Sequence, residues 1–487
     1  MIKYKKKFLL LFLLFFLIGC NTVTDDNYSI TSSESIIKVG QTINLQTNID
    51  DPVWNSSNEG AASISNNGVV TGLNEGTTTI TASNGDISAT IIILVYEVEI
   101  PNQDDEQDDD TKPKEKVLLG IDQITDYLDL FKDKRVGLIT NQTGINSNYE
   151  STIDILYANV NLVALFAPEH GIRGELQAGI QAPQYRDEKT GLTVYSLYGS
   201  TLKPTKEMMD KIDILCIDIQ DAGARFYTYI YTMSYAMEAA SEHNKEFVVF
   251  DRPNPAGGHI YEGNILDTNF SSFVGRYPIV QRHGMTIGEL AELFNEEFNI
   301  NSNLTVIKMK NWERDMYFDD TDVPWVIPSP NFPSIETALV YPGTCIFEGT
   351  NLSEGRGTTI PFQIIGAPYI NANELADALN NLDLDGVVFR PAYFTPTFSK
   401  NANQLNAGVQ VHVTNRETFR AVKTGWAMLD VVRNLYPEDF RVLRGSMNNL
   451  TGTDYISNDI YTLEEQFNIL EEDTATFGLT REKYLLY

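Results

Sequence analysis

The chain has 487 residues, 42% of them hydrophobic, more than one core usually organises, so two or three domains are expected. Its formal net charge of -30, from 66 acidic and 36 basic residues, excludes nucleic acid or an anionic bilayer as a partner held through a basic patch. Five scattered histidines without an H-E-x-x-H pattern, and only three cysteines, supply neither a metal site nor a disulfide framework; no cofactor is expected.

The N-terminus has the three-part layout of a secretory signal: Lys3, Lys5, Lys6 and Lys7, then the apolar run Phe8 to Ile18, too short to span a bilayer comfortably, then Gly19-Cys20. Leu17-Ile18-Gly19-Cys20 resembles the lipobox of bacterial lipoproteins. That resemblance implies a signal peptide over 1–19, lipid attachment at Cys20, a polar tether over 20–30, and an envelope protein anchored to a membrane by its lipid. Asp25-Asp26 is compatible with surface export in some lipoproteins. Cys216 and Cys345 read as small core residues.

Residues 31–98 carry short alternating runs, such as Thr77-Thr78-Thr79-Ile80-Thr81-Ala82 and Ala89 to Val95, separated by turn signals at Asn66-Asn67-Gly68 and Asn84-Gly85. This pattern predicts a small antiparallel β-sandwich. Val53-Trp54-Asn55-Ser56-Ser57-Asn58, Asn67-Gly68-Val69-Val70-Thr71-Gly72 and Gly76 to Ala82 resemble the group-2 bacterial immunoglobulin-like domains, which implies a spacer or adhesive module. Residues 99–116, with the acidic run Asp104 to Asp110, cannot bury themselves and read as an extended linker.

From 117 to 335, apolar strand-like runs alternate with helical stretches. Val136 to Thr140 ends at Asn141-Gln142-Thr143-Gly144; Leu162 to Ala167 ends at Pro168-Glu169-His170-Gly171; Ile212 to Ile219 ends at Gln220-Asp221; Phe247 to Phe250 ends at Asp251-Arg252-Pro253-Asn254-Pro255. Tyr229 to Asn244 and Thr286 to Phe298 have helical periodicity. The alternation predicts an α/β fold, a Rossmann-like, mostly parallel sheet whose polar strand ends share one edge. Residues 336–487 predict a smaller α+β domain, opening on a Gly-rich segment Tyr341 to Gly357, that completes a cleft with the sheet.

The strongest candidate for chemistry is Glu169, where an apolar strand stops abruptly between Pro168 and Gly171. A carboxyl delivered this way between apolar walls suits a proton donor, and Asp218, Asp221 or Asp251 is available as a second carboxylate. His170 is a candidate to bind substrate or orient Glu169, and Arg173, Arg225 and Arg356 are candidate carboxylate receptors. Tyr227 and Tyr229 offer rings or hydroxyls to a sugar, Asn254 lies in a strand-end turn, and Glu354 with Arg356 sits in a Gly-rich loop. No G-x-G-x-x-G follows the first strand and no G-x-S-x-G elbow occurs, which disfavours a dinucleotide enzyme and an α/β-hydrolase.

Four segments carry a family resemblance over residues 117 to 487: Gly137 to Gly144, Phe166 to Gly174, Asp218 to Tyr229, and Tyr341 to Thr344 continuing through Glu348 to Gly357. They resemble the exo-β-N-acetylmuramidase family of glycoside hydrolases. The resemblance implies a Rossmann-like domain plus a smaller C-terminal domain, release of N-acetylmuramic acid from the non-reducing end of peptidoglycan fragments, and Glu169 as the catalytic glutamate. Its partners would be peptidoglycan-derived disaccharides or muropeptides. The alternative is a non-catalytic lipoprotein that holds muropeptides in the same cleft.

Overall fold

The computed structural model describes residues 28–32, 35–85, 87–96, 115–173 and 184–487, and the chain divides into two units, Met1–Lys112 and Pro113–Tyr487. The expected signal peptide, Cys20, Asp25-Asp26, most of the tether and nearly all of the acidic linker lie outside the described residues. Among the described residues no helix is long and apolar enough to cross a membrane.

In the first unit, beside a two-stranded ribbon of Ile30–Thr31 with Gln46–Thr47, the alternating runs become two larger sheets, antiparallel as expected except that Ile36–Lys38 pairs parallel with Ile87–Tyr96. One holds, in order, Ile36–Lys38, Ile87–Tyr96, Gly76–Asn84 and Val53–Ser56; the other holds Thr42–Asn44, Val69–Gly72 and Ala62–Ile64. Ile37, Ile43, Val70, Ile80 and Ile93, drawn from both sheets, form one buried cluster. Gly68 has φ +76°, and a Cβ there would lie 2.8 Å from Leu45 O and 3.2 Å from the Trp54 ring, so Trp54 packs over a turn that needs glycine.

The second unit is built on six parallel strands: β1 (Val136–Thr140), β2 (Leu162–Ala167), β3 (Thr193–Ser196), β4 (Ile214–Asp218), β5 (Glu246–Phe250) and β6 (Asn303–Ile307). Their order is β3-β2-β1-β4-β5-β6, with the short Tyr185–Arg186 antiparallel on the outer edge of β3. Every residue of β1 and β4 is buried, as expected of central strands covered on both faces. Ile139, Phe166, Ile217 and Val249 pack with α2 (Tyr229–Glu242) and α3 (Ile287–Glu297); Leu138, Leu165, Cys216 and Val248 pack with α1 (Thr152–Asn159) in a second cluster. Strand order reverses between β1 and β4, where Thr140 pairs with Asp218. Open α/β sheets hold ligands outside the carboxyl ends of their strands, at this reversal.

The rest of the unit comprises α4 (Ile335–Thr344), β7 (Ile364–Ala367), α5 (Ala372–Asn380), β8 (Val387–Phe394), β9 (Asn406–Val413), α6 (Ala421–Leu435), α7 (Arg444–Thr451) and α8 (Leu463–Arg481). The three strands form an antiparallel sheet in the order β7-β9-β8. Tyr341-Pro342-Gly343-Thr344, the start of the Gly-rich segment, forms the last turn of α4. Its glycine is a close-approach surface, since a Cβ on Gly343 would lie 1.8 Å from Ala421 O, at the start of α6. Cys216 and Cys345 are buried free thiols.

Candidate active site

Glu169 follows directly on β2, beyond the carboxyl end of the sheet. Pro168 before it and His170 after it are buried, whereas Glu169 keeps part of its surface. The turn is tight: Gly171 N donates to Pro168 O at 3.2 Å, and His170 and Gly171 take φ of +76° and +80°. A left-handed histidine stores local strain of the kind that collects at functional sites. His170 itself is 5% exposed, so it shapes the turn from beneath. Thr228, the residue before α2, donates from Oγ1 to Glu169 Oε2 at 2.9 Å. Thr228 is not legible as a site residue in the sequence, because a single threonine between tyrosines carries no local signal.

Around this carboxylate the ends of β1 and β4 are tied together. Asn141 Oδ1 accepts from Thr143 N and Oγ1 at 2.9 and 2.6 Å, and Gln220 N donates to Thr143 Oγ1 at 2.9 Å. Asn141 Nδ2 donates to Tyr229 Oη at 2.8 Å, and Tyr229 Oη donates to Pro328 O at 2.7 Å. Burial and the nearby Glu169 charge hold the Tyr229 hydroxyl well above its ordinary range, so it acts as a neutral donor. Gln142 Nε2 reaches Ile327 O at 2.8 Å, which seats the segment around Pro328 against the strand ends.

The other candidates divide sharply. Asp218 is fully buried in a bidentate pair with Arg252, whose Nε and Nη2 lie 2.5 and 2.9 Å from its two oxygens, and Thr152 Oγ1 also donates to it. It anchors the sheet with no exposed surface, which speaks against the catalytic expectation. Asp221 is 5% exposed; its Oδ2 accepts from Gly223 N at 2.7 Å and lies 3.2 Å from His283 Nε2. Met285 N donates to His283 Nδ1, which places the ring proton on Nε2, toward Asp221. His283, within Gln281-Arg282-His283-Gly284, carries no motif that marks it in the sequence.

Asp251 is buried beneath the start of α3, where it accepts from Gly288 N, Thr286 Oγ1 and Tyr487 Oη at 2.7, 2.8 and 2.7 Å. Asn254 is likewise internal, bonded to Met285 O and Ala256 N. Both are buried, at 0% and 2% exposure, which speaks against the expectation that they bind substrate. Arg225, a predicted anion receptor, is buried, with Nη1 donating to Asn264 O and Ile279 O and Nη2 to Leu450 O and Thr451 O. It clamps α7 to the sheet domain, and burial lowers its pKa to about 10. Arg173 remains half-exposed in the Glu169 loop and pairs with buried Asp187 at 2.6 Å. Asp187 is held below the usual carboxylate range: burial opposes this, but hydrogen bonds from Thr190 and Arg173 outweigh it.

Tyr227 and Tyr229 meet edge to face at 4.9 Å, and Tyr227 continues into a cluster with Phe332 and Tyr341. These rings are buried, so their stacking is with one another and not with an open sugar face. Tyr341 stands edge-on to Phe362 at 4.8 Å, and Arg356 lies over the Phe362 ring at 5.0 Å. Through this aromatic chain the Gly-rich loop of the C-terminal part packs against the strand-end tyrosines. In that loop Arg356 pairs with Glu348 and, at 3.4 Å, with Glu354, whose other oxygen lies 2.9 Å from Lys400 Nζ. Glu354 is 1% exposed and therefore a loop organiser.

Comparison with known proteins agrees with this architecture. Family models described as exo-β-N-acetylmuramidase NamZ, N-terminal and C-terminal, match residues 136–336 and 339–487, and a bacterial Ig-like domain (group 2) model matches residues 25–93. The peptidoglycan β-N-acetylmuramidase NamZ of Bacillus subtilis (strain 168) is 55% identical over 384 residues, covering 77% of this chain and 93% of that protein. Two crystal structures of DUF1343 family proteins from Bacteroides fragilis NCTC 9343 are also similar. One is 40% identical with TM-score 0.72, covering 77% of this chain and 100% of the other; the second is 34% identical with TM-score 0.62, covering 76% and 99%. The chain belongs to the NamZ exo-β-N-acetylmuramidase family, joined here to a bacterial Ig-like domain.

Proposed function

We propose that the chain is an exo-acting glycoside hydrolase that releases terminal non-reducing N-acetylmuramic acid from peptidoglycan fragments, with Glu169 as general acid and base. The observation that carries the assignment of Glu169 is burial. Of the five acidic side chains the sequence nominates, Asp218, Asp221, Asp251 and Glu354 are all buried, and Glu169 alone is partly exposed. It stands at a strand end, hydrogen-bonded through one oxygen by Thr228. Protonated, such a carboxyl delivers its proton to the leaving glycosidic oxygen; ionised, it activates the incoming water. Arg173, in the same loop, is the proposed receptor for the lactyl carboxylate of muramic acid.

The same proposal includes an envelope address, with lipid on Cys20 tethering the enzyme to a membrane. The test of the chemistry is Glu169→Gln. An enzyme of this design keeps its fold and its muropeptide binding and loses turnover of N-acetylmuramic acid disaccharides by about 10²- to 10⁴-fold. Undiminished turnover by the variant overturns the assignment of Glu169. Absence of turnover in both forms, with binding retained, identifies a glycan receptor instead.

A further inference from the structure

The C-terminal sheet buries one face against α5 and α6, through Val387, Phe389, Val409 and Val411, and turns its other face outward. Alternation along β8 places Arg390, Ala392 and Phe394 on that outer face, with Gln410 opposite Arg390 and Gly408 opposite Ala392. Thr358 and Thr359 continue directly from the Glu354 to Gly357 loop and complete the wall of a groove of about 450 Å³ over this face. The loop is fixed there: Ser353 and Gly366 exchange backbone hydrogen bonds, and Gly357 O accepts from Thr397 N at 2.9 Å. The groove is therefore continuous in sequence with the loop that packs against the strand-end aromatics.

Its chemistry is unusual for this molecule. In a chain with 66 acidic and 36 basic residues, the groove lining contains Arg390 and no carboxylate. Among the described residues Arg390 has no acidic partner; Nη2 donates to Gln410 Oε1 at 2.7 Å and Nη1 to Pro391 O at 3.3 Å. The guanidinium is exposed but held in one orientation, with further N–H donors for an anion. Thr359 and Gln410 add a hydroxyl and an amide, Phe394 and Ile364 add apolar surface, and the Thr358 hydroxyl, which donates to Gly355 O, holds the loop in place. A hydroxyl, an amide, an apolar wall and one carboxylate receptor together match an acidic N-acetyl amino sugar.

We infer that this groove is a leaving-side subsite for a second muramyl residue of the glycan strand, with Arg390 receiving its lactyl carboxylate. The inference rests on the proposed muramidase reading. In a strand that alternates muramic acid with N-acetylglucosamine, an exo-acting enzyme holding the terminal muramic acid at Glu169 meets the next carboxylate two sugars along. Arg390 thereby sets a preference for chains over disaccharides.

The test compares the disaccharide MurNAc-GlcNAc with the tetrasaccharide MurNAc-GlcNAc-MurNAc-GlcNAc, using the full chain and Arg390→Ala. Arg390→Ala is expected to raise KM for the tetrasaccharide about tenfold and to leave the disaccharide within about twofold. Methyl-esterifying the internal lactyl carboxylate should impose the same loss on the native chain and none further on Arg390→Ala. Equal effects on both substrates, or none on either, overturn the subsite. Calorimetric binding of the tetrasaccharide to Glu169→Gln, with and without Arg390→Ala, reads the groove without turnover. Equal affinities there also overturn it, whereas Arg390-dependent binding by a native chain that hydrolyses nothing overturns the enzymatic reading and leaves the groove as a muramyl site.

Discussion

The pair Asp218–Arg252 separates a structural carboxylate from a catalytic one. Asp218 is 0% exposed and Arg252 is 3% exposed, and two hydrogen bonds of 2.5 and 2.9 Å join them across 34 residues of sequence. Replacing Asp218 by Ala leaves the guanidinium buried opposite only Ile145 O and an empty space. Breaking a buried pair in this way costs about 3 to 5 kcal/mol, a large part of the roughly 5 to 15 kcal/mol that holds a domain folded. The melting temperature should fall by roughly 6 to 10 °C. Asp218→Leu combined with Arg252→Met, which removes both charges, should recover most of that loss, because the desolvation cost disappears together with the attraction. Thermal unfolding of the three variants reads the stability, and turnover of a muramyl disaccharide at low temperature reads the chemistry. Turnover per folded molecule should stay within about threefold of the native chain, since both oxygens of Asp218 are buried and engaged by Arg252 and Thr152. A variant at Asp218 with unchanged melting and a hundredfold loss of turnover would refute this reasoning and return Asp218 to the catalytic group.

Three further predictions concern the same frame. Thr228→Val removes the donor to Glu169 Oε2 and should lower kcat about tenfold with little change in KM, and Thr228→Ser should restore it; a loss in KM alone argues that Thr228 acts elsewhere. Burial, with Glu289 beside it, pushes the Asp251 carboxyl up to about 6 despite its donors, against about 3.9 in an unfolded chain. Its contribution to stability is complete below about pH 4 and is lost as pH rises through about 6, up to about 3 kcal/mol in all. Denaturant unfolding should therefore show the advantage of the native chain over Asp251→Asn shrinking from pH 4.5 to pH 7.5, and a flat difference contradicts the assignment. Gly343→Ala drives a methyl into Ala421 O and should cost about 1 to 3 kcal/mol or more, while Gly445→Ala in α7, where a Cβ meets nothing within 4 Å, should be neutral or stabilising in the same unfolding assay.

What the sequence determined by itself is local. Runs of four to six mostly apolar residues ending at Pro, Asn or Asp are enough to announce β1, β2, β4 and β5, because central strands must be apolar on both faces and their ends must turn. The same logic marks Glu169 as a polar group delivered to a sheet edge, and Asn-Gly turns between alternating runs mark the Ig-like sandwich. Strands β3 and β6 escape it: one is four residues long, and the other is only partly buried along most of its length. The Gly-rich segment from Tyr341 is equally silent to it, since a glycine such as Gly343, which permits close helix contact inside α4, looks the same in sequence as a glycine in a loop.

Only the tertiary structure decided which of the nominated polar residues face outward. Asp218 meets Arg252 across 34 positions, Arg225 meets Leu450 and Thr451 across 225 and 226, and Asp251 meets Tyr487 across 236. Each such partner neutralises or satisfies a group that composition alone presents as reactive. The physical reason is that periodicity reports how a residue stands to its own strand or helix, whereas burial and pairing depend on which distant segment closes over it. Thr228 at Glu169 and Arg390 in the outer groove are visible for the same reason: their significance lies wholly in what the fold places beside them.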